Sequence, residues 1–274
     1  MTTTLRPTEP LQHHADGTRS RRYQVCVNSR PVGGIHLATH AEFGPSVGCL
    51  RDLRIDEPDR GRGRATVAAL AAEEVLRGWG CARVEASVPG DADPALRLAA
   101  ALGYAVRSRN MAKPLDGTAP PLPAGSAWRP MTGAEYGPWL AYERGVFAQA
   151  LIDSGVPADE ARAKADDGHA KFLPDGLATE DTLISVLEHE GDAVGTLWLG
   201  LWPETAYVLD VETGSRFRGR GHGRTLMLLA EAQAVAGGRD RVGLHVFAGN
   251  TPAERLYTSL GYTTTAHNLA KDLL

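Results

Sequence analysis

Short apolar runs bounded by turn residues predict strands in both halves of the chain. They cover residues 23–27, 34–38 and 50–55 in the first half, and residues 182–188, 194–202 and 206–211 in the second. Apolar residues at helical spacing over 134–150 and 157–171 predict two helices, which have no counterpart before the first set of strands. The pattern therefore predicts a mixed α/β (α+β) chain whose two halves begin differently.

One short motif occurs twice: residues 60–63 and residues 218–221 both read Arg-Gly-Arg-Gly. The second motif begins 158 residues after the first, since 218 − 60 = 158. The same offset holds downstream without a gap. It pairs Asp52 with Asp210, Glu73 with Glu231, Leu102-Gly103-Tyr104 with Leu260-Gly261-Tyr262, and Lys113 with Lys271. An ordered series at one spacing predicts two copies of one fold.

A segment rich in Pro, Gly, Thr and Ala over residues 114–123 lies between the copies and suits an extended connector. We therefore expect a first domain over 1–115, a linker over 116–124 and a second domain over 125–274. The first copy enters its strands almost directly, so it is the abbreviated one.

Composition narrows the classes of function. The 274 residues, 43% of them hydrophobic, exceed one typical core and support packed globular domains. A net charge of −4 disfavours nucleic acid as a partner and mildly favours a cationic one. The longest apolar run is too short to span a membrane, and the N-terminus lacks the apolar stretch of a signal peptide. Cys26, Cys49 and Cys81 lack metal-ligand spacing. We expect a cytoplasmic protein without membrane attachment or a metal.

The second copy of the motif leads into a predicted helix over 224–236. Its loop consists of Arg218, Gly219, Arg220, Gly221, His222, Gly223 and Arg224. Glycines let the backbone approach a ligand closely, and a helix N-terminus adds a positive dipole end, so this loop predicts a pyrophosphate cradle. It is not a P-loop, which would need Lys-Ser/Thr here, and Arg224 stands where the dinucleotide fingerprint has its last glycine.

The pattern Arg218-x-x-Gly221-x-Gly223 resembles the acyl-CoA pyrophosphate loop of the GNAT superfamily of N-acyltransferases. A second superfamily signature is matched by Asn250, Tyr257 and the Leu-Gly-Tyr of residues 260–262. The resemblance covers residues 128–274 and, more faintly, 23–115. It implies two tandem domains, each with a mixed, mostly antiparallel sheet flanked by helices. It also implies acetyl-CoA as co-substrate and a small-molecule or peptide amine as acceptor, and it leaves a homodimer open.

The resemblance implies direct attack of the amine on the thioester, which agrees with the lack of any cysteine after Cys81. Tyr257 would be the general acid that protonates the departing thiolate. Asn250 would contact the pantetheine arm, cap the following helix, or do both. A backbone N–H in the strand from Val211 to Thr213 would stabilise the oxyanion.

The general base stays open, because an ammonium must lose a proton before it can attack. His245 stands where some protein-acetylating members have a base, and Glu212 lies on the strand that faces the acyl group. Asp210 also lies nearby. The alternative for His245 is an ordinary strand residue that faces solvent or the core.

The first copy is expected to be degenerate, because at the offset of 158 residues Ala92 replaces Asn250 and Ala99 replaces Tyr257. Its loop keeps the superfamily pattern through Arg60, Gly61, Gly63 and Ala65. Cofactor binding without turnover and a purely structural role are both open for this copy.

We expect an acetyl-CoA-dependent N-acetyltransferase that acts on a primary amine. A second enzyme hypothesis is a member resembling mycothiol synthase, which also pairs a degenerate copy with an active one and acetylates a cysteinyl amine. A third hypothesis is a non-catalytic CoA-binding module, which would need the two loops but no phenol beside the sulfur.

Overall fold

A computed structural model describes residues 2–153 and 155–273. The outermost residues of the expected domains, Met1 and Leu274, lie outside this range. The chain forms two compact units. Unit 1 contains the residues up to Ser108 together with those from Ala266 onward, and unit 2 contains residues 109–265. No helix in the described part of the chain is long and apolar enough to cross a membrane.

The described residues of unit 1 form a sheet flanked by two α-helices. Its elements are β1 (Thr3–Pro7), β2 (Gln12–His13), β3 (Arg19–Val27), β4 (Arg30–His40), β5 (Gly44–Ile55), α1 (Arg64–Gly78), β6 (Arg83–Pro89) and α2 (Asp93–Ala101). The strands β1, β3, β4 and β5 pair antiparallel in that order, whereas β5 and β6 are parallel. The hairpin β3–β4 closes through Asn28 and Ser29, both with the positive φ that a two-residue turn requires.

Unit 2 has the same plan with two additional helices. Its elements are β8 (Ser126–Pro130), α3 (Gly133–Asp153), α4 (Ala158–Phe172), β9 (Thr182–His189), β10 (Asp192–Trp202), β11 (Thr205–Thr213), α5 (His222–Ala236), β12 (Arg241–Phe247) and α6 (Thr251–Ser259). The strands β8 to β11 pair antiparallel in order, and β11 is parallel to β12. These mixed, mostly antiparallel sheets with flanking helices confirm the predicted fold class, and the predicted strands and helices all form.

The last strand of each sequence copy divides between the units. Strand β7 (Ala105–Pro114) contributes residues 109–114 to unit 2, and β13 (Thr263–Asp272) contributes residues 266–272 to unit 1, where they pair antiparallel with β6. In unit 1 the Nζ of Lys271 lies 2.7 Å from Oε2 of the buried Glu73. In unit 2 the Nζ of Lys113 contacts both carboxylate oxygens of Glu231 at 2.8 and 2.9 Å.

The bounds of the compact units therefore differ from those of the expected domains, 1–115 and 125–274, because each unit exchanges part of a terminal strand. The repeat identifies equivalent residues, but it carries no information on which sheet a terminal strand completes. Hydrogen bonding of a free sheet edge is satisfied equally well by either copy of the strand. The residues 116–124, expected as a linker, form neither helix nor strand.

Candidate active site

Strands β11 and β12 part within unit 2. They are paired only from Ala206–Val242 to Val208–Leu244, and both continue beyond that point. A bulge between Trp198 and Leu199 of β10 accompanies this divergence. Because alternate N–H groups of a strand point to opposite edges, part of the backbone from residue 209 to Thr213 presents donors to the opening. The predicted oxyanion segment, from Val211 to Thr213, lies in this stretch.

The predicted pyrophosphate loop follows directly on β11. Gly219 and Gly221 have φ of +77° and +90°, which glycine adopts without strain, and α5 begins at His222. The first N–H groups of a helix have no acceptor within it, so those of His222 and Gly223 are available to an anion. A Cβ on Gly223 would approach the Leu256 side chain to 3.3 Å, so that side chain would have to shift by a few tenths of an ångström to accept it.

The charged side chains of the loop are mostly solvent-exposed. Arg218 donates to the carbonyl of Thr213 at 3.3 Å, and Arg224 donates to Ser259 Oγ at 2.5 Å. Arg220 is exposed as well. The His222 ring is different, because it is buried against His189, with ring centroids 5.0 Å apart. Its predicted contribution to cofactor binding therefore falls to its backbone.

Helix α6 carries the second signature. Asn250 caps it by accepting a hydrogen bond from the backbone N–H of Ala253 at 3.3 Å, which leaves the amide NH₂ of the same side chain available as a donor. Tyr257 is 7% exposed and belongs to the core of unit 2. Burial and the nearby Asp210 carboxylate raise the pKa of Tyr257 to about 12. At neutral pH this phenol keeps its proton.

Glu212 is occupied by two hydrogen-bond donors. Arg218 lies 3.0 Å from Oε1 of Glu212, and the Tyr142 hydroxyl of α3 donates to the same oxygen at 2.8 Å. These contacts join the loop and α3 to the end of β11.

The chain matches the model of the acetyltransferase (GNAT) family over residues 2–104 and 150–262. The chain belongs to the GNAT family. It is 30% identical to the mycothiol acetyltransferase of Beutenbergia cavernae over 92% of this chain and 89% of the relative. It is 33% identical to the mycothiol acetyltransferase of Thermomonospora curvata over 76% of this chain and 67% of the relative.

Solved structures support the same fold. A GCN5-related N-acetyltransferase from Sphaerobacter thermophilus superposes with a TM-score of 0.58 at 20% identity, covering 92% of this chain and 80% of that one. The chain is thus a GNAT acetyltransferase with two GNAT regions in tandem, and enzymes of this family acetylate amine acceptors. The resemblance deduced from the loop and from the second signature is confirmed at this level.

This GNAT protein also contains a carboxyl pair that the sequence analysis did not assign. Glu143 of α3 is 4% exposed, and its carboxyl interacts electrostatically with that of Asp210 on β11. Burial raises the pKa of both carboxyls, and the charge of Glu212 adds to both shifts. Asp210 raises the pKa of Glu143 further, whereas the interaction with Glu143 lowers that of Asp210. Helical spacing was the sequence feature that could have predicted the burial of Glu143. It follows the buried Trp139 by four residues and so lies on the same face of α3.

His245 lies at the first position of β12 beyond its paired stretch. Its side chain is accessible to solvent, yet the surrounding protein desolvates the ring and lowers its pKa. The ring packs edge-on against Phe247 with centroids 4.8 Å apart. His245 is therefore neutral at pH 7 and follows directly on the last residue of β12 that pairs with β11.

The GNAT loop of unit 1 has the same backbone. Gly61 and Gly63 both have φ of +71°, and Arg60 donates to the carbonyl of Ile55 at 2.8 Å, as Arg218 does in unit 2. Ala65 is the second residue of α1. The side chains differ, because the buried Asp59 forms ion pairs with Arg64 and, at 2.8 Å, with Arg30.

Proposed function

We propose that unit 2 transfers an acetyl group from acetyl-CoA to a primary amine by direct attack. The observation that carries the proposal is the placement of Tyr257 in the same unit as a glycine-built anion cradle and an opened strand pair. A pure CoA-binding module would have no use for a buried phenol whose proton stays on at neutral pH.

Acetyl-CoA supplies a thioester, and the residues present fit it. The glycine backbone and helix N-terminus from Gly219 to Gly223 suit its pyrophosphate, with Arg218, Arg220 and Arg224 available for the phosphate charge. The free NH₂ of Asn250 suits an amide carbonyl of the pantetheine arm. Backbone N–H groups between Val211 and Thr213 would stabilise the negative charge that develops on the carbonyl oxygen.

The side chain of Tyr257 would donate its proton to the sulfur as the C–S bond breaks. Within the part of the chain that the structure describes, its hydroxyl makes no hydrogen bond to protein that would hold this proton back. We assign Glu212 to orienting Arg218 and Tyr142, because its oxygen already accepts from both.

Unit 1 is the degenerate copy in this proposal. Ala92 caps α2 without a side-chain hydrogen bond, and the buried Ala99 stands at the position of Tyr257. In addition, the buried charges of Asp59 and Arg64 beside the loop are taken up by ion pairs within the protein, since Asp59 pairs with both Arg64 and Arg30. Unit 1 would bind CoA weakly or serve a structural role, and would not turn over.

The test is thiol release from acetyl-CoA by the full-length protein with spermidine, tyramine and L-cysteinamide, with the acetylated product identified by mass spectrometry. A double variant, Asn250→Ala with Tyr257→Phe, is the matched control. N-acetylated product from the wild type but not from the double variant is the expected result. Turnover that survives in the double variant would move catalysis to unit 1. If no amine is acetylated although acetyl-CoA binds, a binding module becomes the better description.

A cysteinyl amine is the second candidate acceptor, favoured by the 30% identity to a mycothiol acetyltransferase over 92% of the chain. L-cysteinamide and L-serinamide differ in one atom and therefore isolate the contribution of the thiol. A preference for L-cysteinamide of at least about tenfold in kcat/KM, equal to about 1.4 kcal/mol, supports this candidate. Equal kcat/KM values for the two would contradict it.

A further inference from the structure

We infer that unit 1 binds a small metabolite with at least two carboxylate or phosphate groups. The site lies on the face of its sheet that is turned away from α1 and α2. It goes beyond the proposed function, because it involves neither of the two glycine loops and needs no turnover. The observations that carry it are the register of the strands, a cavity and the charge of the side chains around that cavity.

The strand register separates the two faces of this sheet. Tyr23 is opposite Ile35, and both are buried in the core that the sheet forms with α1 and α2. Neighbouring residues of a strand point to opposite faces, so Arg22 and its cross-strand partner His36 lie on the other face. His36 is in turn opposite Arg51 of β5. Three strands therefore place one row of basic residues on the face away from the helices.

A second row runs beside the first on the same face, since its β3 residue follows Arg22 by two positions. Arg6 of β1 is opposite Gln24 of β3, and Gln24 is opposite Gly34 of β4. Gly34 is opposite Arg54 of β5. The arginines of the two rows are all exposed and form no ion pair with the described residues; they are Arg6, Arg22, Arg51 and Arg54.

A cavity of about 720 Å³ opens on this face. Arg22 and Arg54 contribute to its lining, and Gly33 and Gly34 leave part of its floor without side chains. A volume of this size is typical of sites that bind metabolites. Among the described residues, the lining includes none of the glycine loop over 60–63, so the cavity is separate from the expected CoA loop of unit 1.

Carboxylates are also present at this face, and so the balance of charge decides which ligand fits. Asp52 and Asp56 line the cavity, and Glu9 accepts a hydrogen bond from a backbone N–H of β3 at 3.0 Å. Burial lowers the pKa of His36, and the two arginines of its row lower it more than Asp52 and Glu9 raise it. The field at the middle of the face is therefore positive, and the two aspartates suit hydroxyl or amino groups of the same ligand.

The corresponding row of unit 2 is apolar. Gly33 and Gly195 each lie against the backbone of the neighbouring strand, and three residues later come His36 and Trp198. Trp198 packs edge-on against Trp139 of α3, with ring centroids 5.7 Å apart. The row of unit 2 consists of Ile184, Trp198 and Leu209, which all pack in one apolar cluster with residues of α3.

Basic residues thus occupy the positions that are apolar where helices cover the sheet. An uncovered face needs polar side chains, but it needs no excess of one sign of charge, and the chain as a whole has a net charge of −4. Unpaired arginines beside a cavity are the groups that bind carboxylates and phosphates most strongly. The arginines of β3 and β5 lie two strand spacings, or roughly 10 Å, apart, a distance that a ligand with two anionic groups bridges.

Calorimetry with the full-length protein tests the site, with citrate as the carboxylate probe and fructose 1,6-bisphosphate as the phosphate probe. At least one probe should bind the wild type with a Kd below about 1 mM at low salt. The affinity should fall as NaCl is added, because salt screens exposed charges. The probe that binds more tightly shows whether carboxylate or phosphate groups are preferred.

Three variants place the probe on this face. Arg22→Gln combined with Arg54→Gln should weaken binding by at least about tenfold. The same pair changed to lysine keeps both charges and should bind more tightly than the glutamine pair. Arg97→Gln removes an exposed arginine of α2 and is the matched control, which should bind within about twofold of wild type. The exchanged residues are exposed, so the unfolding temperature of each variant should stay close to that of the wild type.

Three outcomes overturn the inference. The first is that neither probe reaches a Kd of about 1 mM. The second is equal affinity of the glutamine pair and of Arg97→Gln. The third is binding that is lost in Gly221→Asp but kept in the glutamine pair, which would assign the probe to the loop of unit 2. None of these measurements uses acetyl-CoA or an amine, so a failure here and a failure of the proposed function are distinguishable.

Discussion

The loop before α1 in unit 1 and the loop before α5 in unit 2 have nearly the same backbone and different side chains. Each has two glycines of positive φ, an arginine bound to the last carbonyl of the preceding strand, and a helix start beyond it. Unit 2 adds Asn250, Tyr257 and the Glu143–Asp210 pair. Unit 1 has alanines at the first two positions, and its described residues form no counterparts of α3 and α4 that could carry a residue like Glu143.

This difference teaches which features the fold itself needs. In both units a glycine lies against the backbone of the neighbouring strand: Gly33 of β4 against Arg54 of β5, and Gly195 of β10 against Glu212 of β11. A Cβ on either glycine would overlap the carbonyl oxygen of that neighbour. Both units also bury a glutamate that is paired with a lysine from a terminal strand. Such packing constraints hold whether or not the unit is catalytic, whereas an acid and a base are needed only where the reaction occurs.

The largest expected effect concerns a feature that the units share. Lys271→Met leaves the carboxylate of Glu73, which is 2% exposed, without its partner. The free energy of unfolding should fall by about 3–5 kcal/mol, because an uncompensated buried charge is costly. Chemical denaturation measures the loss, and hydrogen exchange should assign it to α1. Lys113→Met is the matched variant and should act on α5 instead. Loss of protection in the opposite helices would contradict the unit bounds.

The next effect belongs to unit 2 alone. Tyr257→Phe should cut kcat by about 10²- to 10⁴-fold, nearer the lower end because a thiolate leaves fairly well unaided. The affinity for acetyl-CoA and the stability should stay close to wild type, since the ring and its packing are kept. Tyr262→Phe changes a neighbouring ring, whose centroid is 6.1 Å away, and should leave kcat unaltered. If kcat survives in Tyr257→Phe when chemistry limits the rate, Tyr257 is a core residue only.

A smaller effect compares the two loops directly. Gly221→Asp places a carboxylate against the phosphate site and should weaken acetyl-CoA binding by at least about tenfold in calorimetry. Gly63→Asp is the matched change in unit 1, at nearly the same φ. Gly63→Asp should change the Kd for acetyl-CoA by less than about twofold, which corresponds to about 0.4 kcal/mol in binding free energy. The reverse ranking would assign the cofactor to unit 1.

The smallest effect is on the pH dependence of stability. A carboxyl whose pKa is raised by folding, as in Glu143, stabilises the folded state below its ordinary pKa of 4.5, and this contribution is lost as the pH rises through the raised value. The quantity to measure is the unfolding temperature of Glu143→Gln minus that of wild type. This difference should be a few degrees more positive at pH 8 than at pH 5.

Glu135 supplies the opposite case in the same helix. Arg129 and Thr132 lower the pKa of Glu135 to about 2, so its contribution is present above pH 4.5 and lost as the pH falls toward 2. Glu135→Gln should lower the unfolding temperature at neutral pH and have little effect at pH 2. Equal pH profiles for the two variants would show that the helix has no buried protonated acid.

The sequence was sufficient to predict the tandem repeat, the strands, the helices and the loop, because each has a local signal. Glycine spacing predicted the loop that precedes α5, and apolar periodicity predicted α3 and α4. The pairing of residues 266–272 with β6 was not predictable, since it depends on which sheet edge is free in three dimensions. The Glu143–Asp210 pair joins residues far apart in the sequence, and only the fold brings α3 against β11.

The position of residues 266–272 in unit 1 has a consequence for biosynthesis. The ribosome releases the chain from its N-terminus, so most of unit 1 emerges first, yet the strand that pairs with β6 emerges only after all of unit 2. Until residues 266–272 have emerged, the β13 partner of β6 is missing and Glu73 lacks its lysine. Unit 2, which ends at Thr265, has all its residues slightly earlier. The half of the protein that is made first is therefore completed only after the other half.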